Sequence, residues 1–230
     1  TLPPILVFSS GRVDMYIANS KNVQKQIKRQ YNRDSMVVYP AVDTEFFLPA
    51  SQIVKQSNKD YYLIVSRLNK WKKIDIAILA CQDLNQQLIV VGTGSDEARL
   101  KKIGAKAQGL VSSIEFLGQV TKEKLRDLYQ NAKALIVTQE EDFGIAMIEA
   151  QSCGIPVIAY KAGGALETII EAKTGLFFKK QSAESLKDAI VTLSRLKCDI
   201  SLIRKNALRF TRSRFKKELE ATITSYARHN

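Results

Sequence analysis

The sequence predicts an α/β fold built on a doubly wound parallel sheet, and three observations carry that prediction. Short apolar runs near 61–66, 87–91, 113–117, 134–138, 156–159 and 175–178 alternate with helix-compatible stretches near 74–84, 95–107, 122–131, 144–152, 165–171 and 182–196. Runs such as Ala134-Leu135-Ile136-Val137 are apolar throughout rather than at every second residue, the pattern of strands covered on both faces by helices. The glycine and charge clusters, finally, fall just after strands, and ligands of such sheets lie outside the carboxyl ends of the strands.

Taken in order, Val13 to Ser20 reads as a strand, and Ser20 is placed to cap a basic helix running to about Arg29. Met36 to Tyr39 is a short strand closed by Pro40, and the polar interval 51–59 reads as a loop. From Tyr61 onward the strand and helix repeat is regular, giving a Rossmann-like domain. The run 134–137 leads into Glu141-Asp142-Phe143-Gly144-Ile145, and from Gly144 a helix opens whose first turn has free backbone N–H groups, a site suited to anions. Glu141 then stands in the loop, and Glu149 lies about two turns into the helix. Such a pair can hold hydroxyls at two ends of one polar ligand, although the spacing alone fits equally well two solvated glutamates beside a core helix. Gly163-Gly164 opens a further helix carrying Glu167. The final segment from Ser201 to about Arg228 reads as one amphipathic helix with Leu202, Ile203, Phe210, Phe215, Leu219 and Ile223 as its stripe.

Composition sets the outer bounds. A chain of 230 residues with 45% hydrophobic content can bury an ordinary core in one large or two small domains. Cys81, Cys153 and Cys198 are odd in number and far apart, which favours neither a disulfide framework nor a zinc site and makes a reducing cytoplasm the simplest setting. There is no apolar run of the roughly 18 to 20 residues that would span a bilayer, and no visible signal peptide. The opening Thr1-Leu2-Pro3-Pro4 reads as the middle of a longer protein. The net charge of +12 is concentrated at Arg195, Lys197, Arg204, Lys205, Arg209, Arg212, Arg214, Lys216 and Lys217. Such a surface attracts anionic lipid headgroups or nucleic acid, or is simply a solvated face. Peripheral contact with an anionic membrane at its inner face is the expectation set beside plain solvation, and nucleic acid is not expected as a partner.

Ser66-Arg67-Leu68 with Lys72, Val91-Gly92-Thr93-Gly94-Ser95, Phe116-Leu117-Gly118-Gln119-Val120, Glu141 to Glu149, Gly154-Ile155-Pro156 and Gly163-Gly164 occur in order between about Val13 and Phe215. In this the chain resembles the donor-binding, carboxy-terminal half of the retaining GT-B glycosyltransferases, glycosyltransferase family 4. The resemblance implies that residues 1–40 are the end of an amino-terminal domain, 41–210 the nucleotide-sugar-binding domain, and 211–230 a helix crossing back. It implies diphosphate binding by Arg67 and Lys72, which would meet the charge building on the leaving diphosphate; a guanidinium supplies forked hydrogen bonds and an ammonium a compact charge. The family usually has Gly after that lysine and this chain has Lys73, so two lysines compete for the assignment; the spacing from Arg67 favours Lys72. Glu141 is implied beside the donor sugar, making Arg67, Lys72 and Glu141 the catalytic set. Glu149 is implied at the ribose hydroxyls, with backbone N–H groups of Phe143, Gly144 and Ile145 at the sugar or its phosphate. Gly92, Thr93 and Gly94 are placed beside the phosphates or serve only as a turn; Gln119 and Val120 run along the base or likewise only turn the chain. Gly163, Gly164 and Glu167 would shape the cleft wall.

The wording around Glu140-Glu141-Asp142-Phe143-Gly144 is most similar to bacterial mannosyltransferases of surface polysaccharide assembly, which implies GDP-mannose as donor, with UDP-glucose or another UDP-sugar as the alternative and a glycan or lipid-linked acceptor. No cofactor and no metal are expected: no two aspartates lie two positions apart, and the one histidine, His229, adjoins the terminus. If the amino-terminal domain is absent, the chain is a nucleotide-sugar-binding module needing that domain or a partner chain for transfer. A nucleic-acid-binding domain using the basic tail is the reading from a different class.

Overall fold

The computed structural model describes residues 13–50, 61–105 and 114–229. A small unit comes first. Strand β1 (Tyr16–Ala18) pairs in parallel with β2 (Ser35–Val37), and helix α1 (Lys21–Tyr31) connects them. Ser20 caps α1 as expected, its Oγ accepting from the backbone N–H of Val23 at 3.0 Å. The predicted loop at 51–59 lies outside the described residues.

The main body alternates strand and helix: β3 (Tyr61–Val65), α2 (Ile74–Asp83), β4 (Gln87–Val91), α3 (Glu97–Gly104), β5 (Ile114–Gly118), α4 (Lys122–Asn131), β6 (Ala134–Val137), α5 (Ile145–Ser152), β7 (Val157–Tyr160), α6 (Ala165–Thr168), β8 (Gly175–Phe178) and α7 (Ala183–Ser194). All six strands pair in parallel in the order β5-β4-β3-β6-β7-β8. The chain winds outward from β3 to β5, returns to lay β6 beside β3, and winds out the other way. Its switch point therefore lies between β3 and β6, where a crevice opens at the carboxyl ends.

Side-chain alternation sorts the strands into two cores. Tyr62, Ile64, Leu88, Val90 and Ile136 pack with Ile74, Ile78, Leu186 and Ile190 on one face. Leu63, Leu135, Val137, Val157 and Ala159 pack with Leu128, Tyr129, Met147 and Ala150 on the other. Each fully buried Leu or Ile contributes about 1.5–3 kcal/mol, so both faces must be covered for strands this apolar to be stable.

Two expectations are corrected. Helix α6 is a single turn, because Ile169 leaves it with extended backbone and Ile170 donates instead to Thr174 Oγ1 at 2.9 Å. The terminal segment is not one helix: α8 (Ile200–Ala207) passes through a 3₁₀ turn at Leu208–Phe210 into α9 (Arg212–His229). The break has a tertiary cause. Val42 N–H donates to Phe210 O at 2.8 Å, Val42 bridges Thr211, and the Phe210 ring is buried with Val42, Phe143, Ile148 and Ala207. Thr211 Oγ1 then accepts from Arg214 N–H and starts α9. The predicted stripe accordingly divides: Ile203 and Phe210 are buried, whereas Ile223 is half exposed.

Candidate functional site

Past the carboxyl ends of β3 to β6 lie two adjoining hollows that share Val65, Ser66 and Arg67. One, of 490 Å³, is walled by Gln139, Glu141, Asp142, Phe143, Gly144 and Ile145, with Asn19 and Pro40 on its far side. The other, of 570 Å³, is walled by Gly92, Thr93, Gln119, Val120 and Leu125. Arg67 stands on the ridge between them because pairing continues past the strand ends. Ser66 N–H donates to Val91 O at 3.1 Å and Leu68 N–H to Thr93 O at 2.9 Å, with Leu68 fully buried and Arg67 exposed. Among the described residues no group bonds its guanidinium.

That close approach explains the glycines after β4. Gly92 has φ +121°, and a Cβ there would stand 1.9 Å from Ser66 O; at Gly94 it would stand 2.4 Å from Leu68 O. Neighbouring backbone therefore demands both glycines. Gly92 and Thr93 still line the outer hollow, whereas Gly94 is turned onto Leu68 and lines neither.

Lys72 closes a 3₁₀ turn whose last carbonyl accepts from Thr138 Oγ1 at 2.6 Å, tying it to the end of β6. Its ammonium lies 2.7 Å from Glu141 Oε1, which also accepts from Gln139 Nε2, and the Lys72 side chain is only 9% exposed. The two competing lysines have different surroundings, and Lys72 itself lines neither hollow. Lys73 has φ +50° and donates to Gln181 Oε1, facing a separate hollow with Lys70 and Arg99. A left-handed residue other than glycine is strained by about 1–2 kcal/mol, a cost this chain carries at Lys73. Gly164 N–H donates to Glu141 O at 2.7 Å and braces the loop from below.

Helix α5 starts at Gly144, whose φ of +89° is open to glycine and where a Cβ would stand 1.9 Å from Met147 Cε. No side chain caps its first turn, so Gly144, Ile145 and Ala146 present a positive helix mouth to the inner hollow. The ring of Phe143 is buried with Phe210, leaving only its backbone for a ligand.

Glu149 is set apart from these residues and lines neither hollow. Its Oε2 accepts from the hydroxyl of the fully buried Tyr129 at 3.0 Å. Burial raises the Glu149 carboxyl above the usual carboxylate range, opposed by the Tyr129 hydrogen bond and the Lys122 charge. The same burial, with Glu149 beside it, pushes the Tyr129 phenol far up. Glu167 is turned away altogether. Its carboxylate accepts from the N–H groups of Lys21 at 2.9 Å and Asn22 at 3.0 Å and from Tyr39 Oη at 2.7 Å, filling the mouth of α1. Gly163 and Gly164 line neither hollow and instead back the loop that carries Glu141 and Asp142; Glu167 pins the first helix.

Sequence reasoning passed over Thr138, Gln139, Gln181, Trp71 and Asn19. For Thr138 and Gln139 a signal existed, since they directly follow a buried strand; for Gln181 none did. The basic tail is also less bare than its composition suggests. Arg204 donates to the carbonyls of Ser152, Phe47 and Thr44, Arg214 to those of Tyr39 and Pro40, and Arg212 pairs with Asp43 at 3.0 Å. Among the described residues no helix is long and apolar enough to cross a membrane, and no three His, Cys, Asp or Glu side chains are grouped to hold a metal ion.

Comparison with known proteins places this arrangement. The chain is 28% identical over 192 residues to a D-inositol 3-phosphate glycosyltransferase of Mycobacteroides abscessus, covering 77% of this chain and 43% of that protein. It is 27% identical over 208 residues to the alpha-1,3/1,6-mannosyltransferase ALG2 of Dictyostelium discoideum, covering 73% of this chain and 50% of that one. The chain spans about half the length of the curated relatives it matches. Its fold is that of Anabaena Alr3699/HepE, solved in complex with UDP and glucose, with a TM-score of 0.81 at 22% identity over 96% of this chain and 66% of that one. Residues 50–209, most of the two-faced sheet and its cleft, match the family described as glycosyl transferases group 1, and the chain belongs to that family.

Proposed function

We propose that this chain is the donor-binding half of a retaining glycosyltransferase of family 4, which moves a sugar from a nucleotide diphosphate to a glycan or lipid-linked acceptor. The observation that carries the reading is the meeting, at one switch-point cleft, of the Arg67 guanidinium, which no group bonds among the described residues, the uncapped mouth of α5, and Glu141, on which the Lys72 ammonium is held while itself lining neither hollow. Breaking the bond from the anomeric carbon to phosphate leaves charge on the diphosphate. Arg67, Lys72 and the helix mouth meet that charge without a metal, while Glu141 lies beside the sugar hydroxyls. One such transition-state donor contributes roughly a hundred- to a thousandfold in rate. Gln119, Val120, Gly92 and Thr93 take the nucleoside end, and Glu149 receives the ribose hydroxyls by a local rearrangement at Tyr129.

GDP-mannose is the donor of this reading, supported by the sequence around Glu141 and by the mannosyltransferase named among the relatives. A UDP-sugar is the second reading, favoured by the fold neighbour bound to UDP and glucose. Residues 1–40 belong to the end of an amino-terminal domain and 211–230 to a helix that returns to it; without that domain or a partner chain the piece binds donor and transfers nothing. The setting is cytoplasmic, at the inner membrane face, with the exposed Arg195, Lys197, Lys205 and Lys217 meeting anionic lipid.

The test is a thermal-shift panel of GDP-mannose, UDP-glucose, UDP-N-acetylglucosamine and ADP-glucose. A ligand at a hundred times its Kd adds about 2.7 kcal/mol of stability, or about 5–11 °C for a domain this size. No shift with any of the four would overturn the donor site; a shift with UDP-glucose alone would replace the mannose assignment.

A further inference from the structure

We infer that Trp71 is a positioning residue for Lys72, its indole face holding the ammonium on Glu141, a wall residue of the inner hollow, so that it stands ready, already desolvated, for a nucleoside diphosphate. The inference rests on the donor-site reading above. Lys72 Nζ lies 4.2 Å from the centre of the Trp71 ring, on one side, and 2.7 Å from Glu141 Oε1, on another. An ammonium that has lost most of its water needs compensation beyond one carboxylate oxygen, and an aromatic face supplies it electrostatically.

Trp71 is 59% exposed and belongs to none of the hydrophobic clusters. It also lines the separate hollow with Lys70, Lys73 and Gln181, but among the described residues its one ring contact is the Lys72 ammonium. The backbone beside it is fixed independently, Lys72 N–H donating to Asn69 O at 2.9 Å and Lys72 O accepting from Thr138. Truncating the ring therefore opens no cavity and releases no turn; what it releases is the lysine head. A free lysine side chain carries about 2 kcal/mol of rotamer entropy, and a head held in advance by a ring loses less of it when phosphate arrives.

The experiment uses the full chain in two measurements. The first needs no nucleotide: the rate of reductive methylation at Lys72, read by mass spectrometry, is expected to rise several-fold in Trp71→Leu and to stay at the wild-type rate in Trp71→Phe, which keeps an aromatic face. The second is calorimetric binding of GDP and UDP. Trp71→Leu is expected to weaken the tighter of them about 2- to 30-fold, Trp71→Phe to restore most of the loss, and Trp71→Leu to add nothing in a Lys72→Ala background. Equal labelling of Lys72 in Trp71→Leu and wild type overturns the proposal, as does the same weakening with and without Lys72, which would mean the ring touches the ligand itself. If neither GDP nor UDP binds the wild-type chain, the donor reading falls, and the labelling decides by itself whether the ring holds the lysine.

Discussion

Replacing Glu167 with Ala separates a cleft-wall role from the structural role its contacts indicate. The carboxylate accepts from two backbone N–H groups at the start of α1 and from the Tyr39 hydroxyl, bridging 146, 145 and 128 residues of sequence. The bond to the exposed Lys21 N–H is that of a surface helix cap, about 0.5–1 kcal/mol, and the two part-buried bonds to a charged acceptor contribute about 1.5 kcal/mol each. The loss is about 3.5–4 kcal/mol, which in a domain of this size lowers the melting temperature by about 7–16 °C. The Tyr39 phenol, raised to about 12 by burial and then by its bond to Glu167, would lose the carboxylate that accepts from it. Differential scanning calorimetry measures the shift, and hydrogen exchange over 21–31 localises it. Glu167→Gln, which keeps an acceptor but not the charge, should lose roughly half as much. A melting temperature unchanged within about 1 °C, coupled with lost nucleotide binding, would refute the reasoning and return Glu167 to the ligand.

Other substitutions test other parts of the site. Lys72→Ala should weaken nucleoside-diphosphate binding about 10- to 150-fold by calorimetry, the equivalent of one charge-assisted bond, whereas Lys73→Ala, which faces the separate hollow with Gln181, should change it by less than about 3-fold; the reverse ranking would reassign the lysines. Gly92→Ala forces a Cβ to within 1.9 Å of Ser66 O at a φ of +121°, and denaturant unfolding should show a loss of about 2–6 kcal/mol from backbone strain and overpacking together. For Glu149, burial raises the folded-state carboxyl, so the folded chain binds its proton over a pH range in which the unfolded chain has released it; this group's stabilisation is full at low pH and is lost as pH rises through the raised value. Glu149→Gln, which keeps an acceptor for Tyr129, should therefore melt higher than wild type at about pH 7.5, with the gap closing towards about pH 4. A gap that does not depend on pH would show that its ionisation is not the cause.

Local patterns were enough for the sheet and for the neighbourhood of the cleft. Unbroken apolar runs can be covered only on both faces, and glycines after strands mark where backbone must turn or approach closely; both are short-range properties, and the strands at 61–65, 87–91, 134–137 and 175–178 follow them closely. Ser20 was legible as a cap for the same reason, its partner lying three residues away.

Long-range contacts decided the rest. No pattern near Glu167 says that its carboxylate reaches back to Lys21, none near Phe210 says that Val42 takes its carbonyl and breaks the last helix, and none near Lys72 says that its ammonium meets Glu141 across the switch point. Residue type and spacing determined which groups could bind an anionic, hydroxyl-rich ligand. Only the tertiary fold determined which were already occupied by the protein itself, because a hydrogen bond is directional and the acceptor of each one is set by packing between segments distant in the chain.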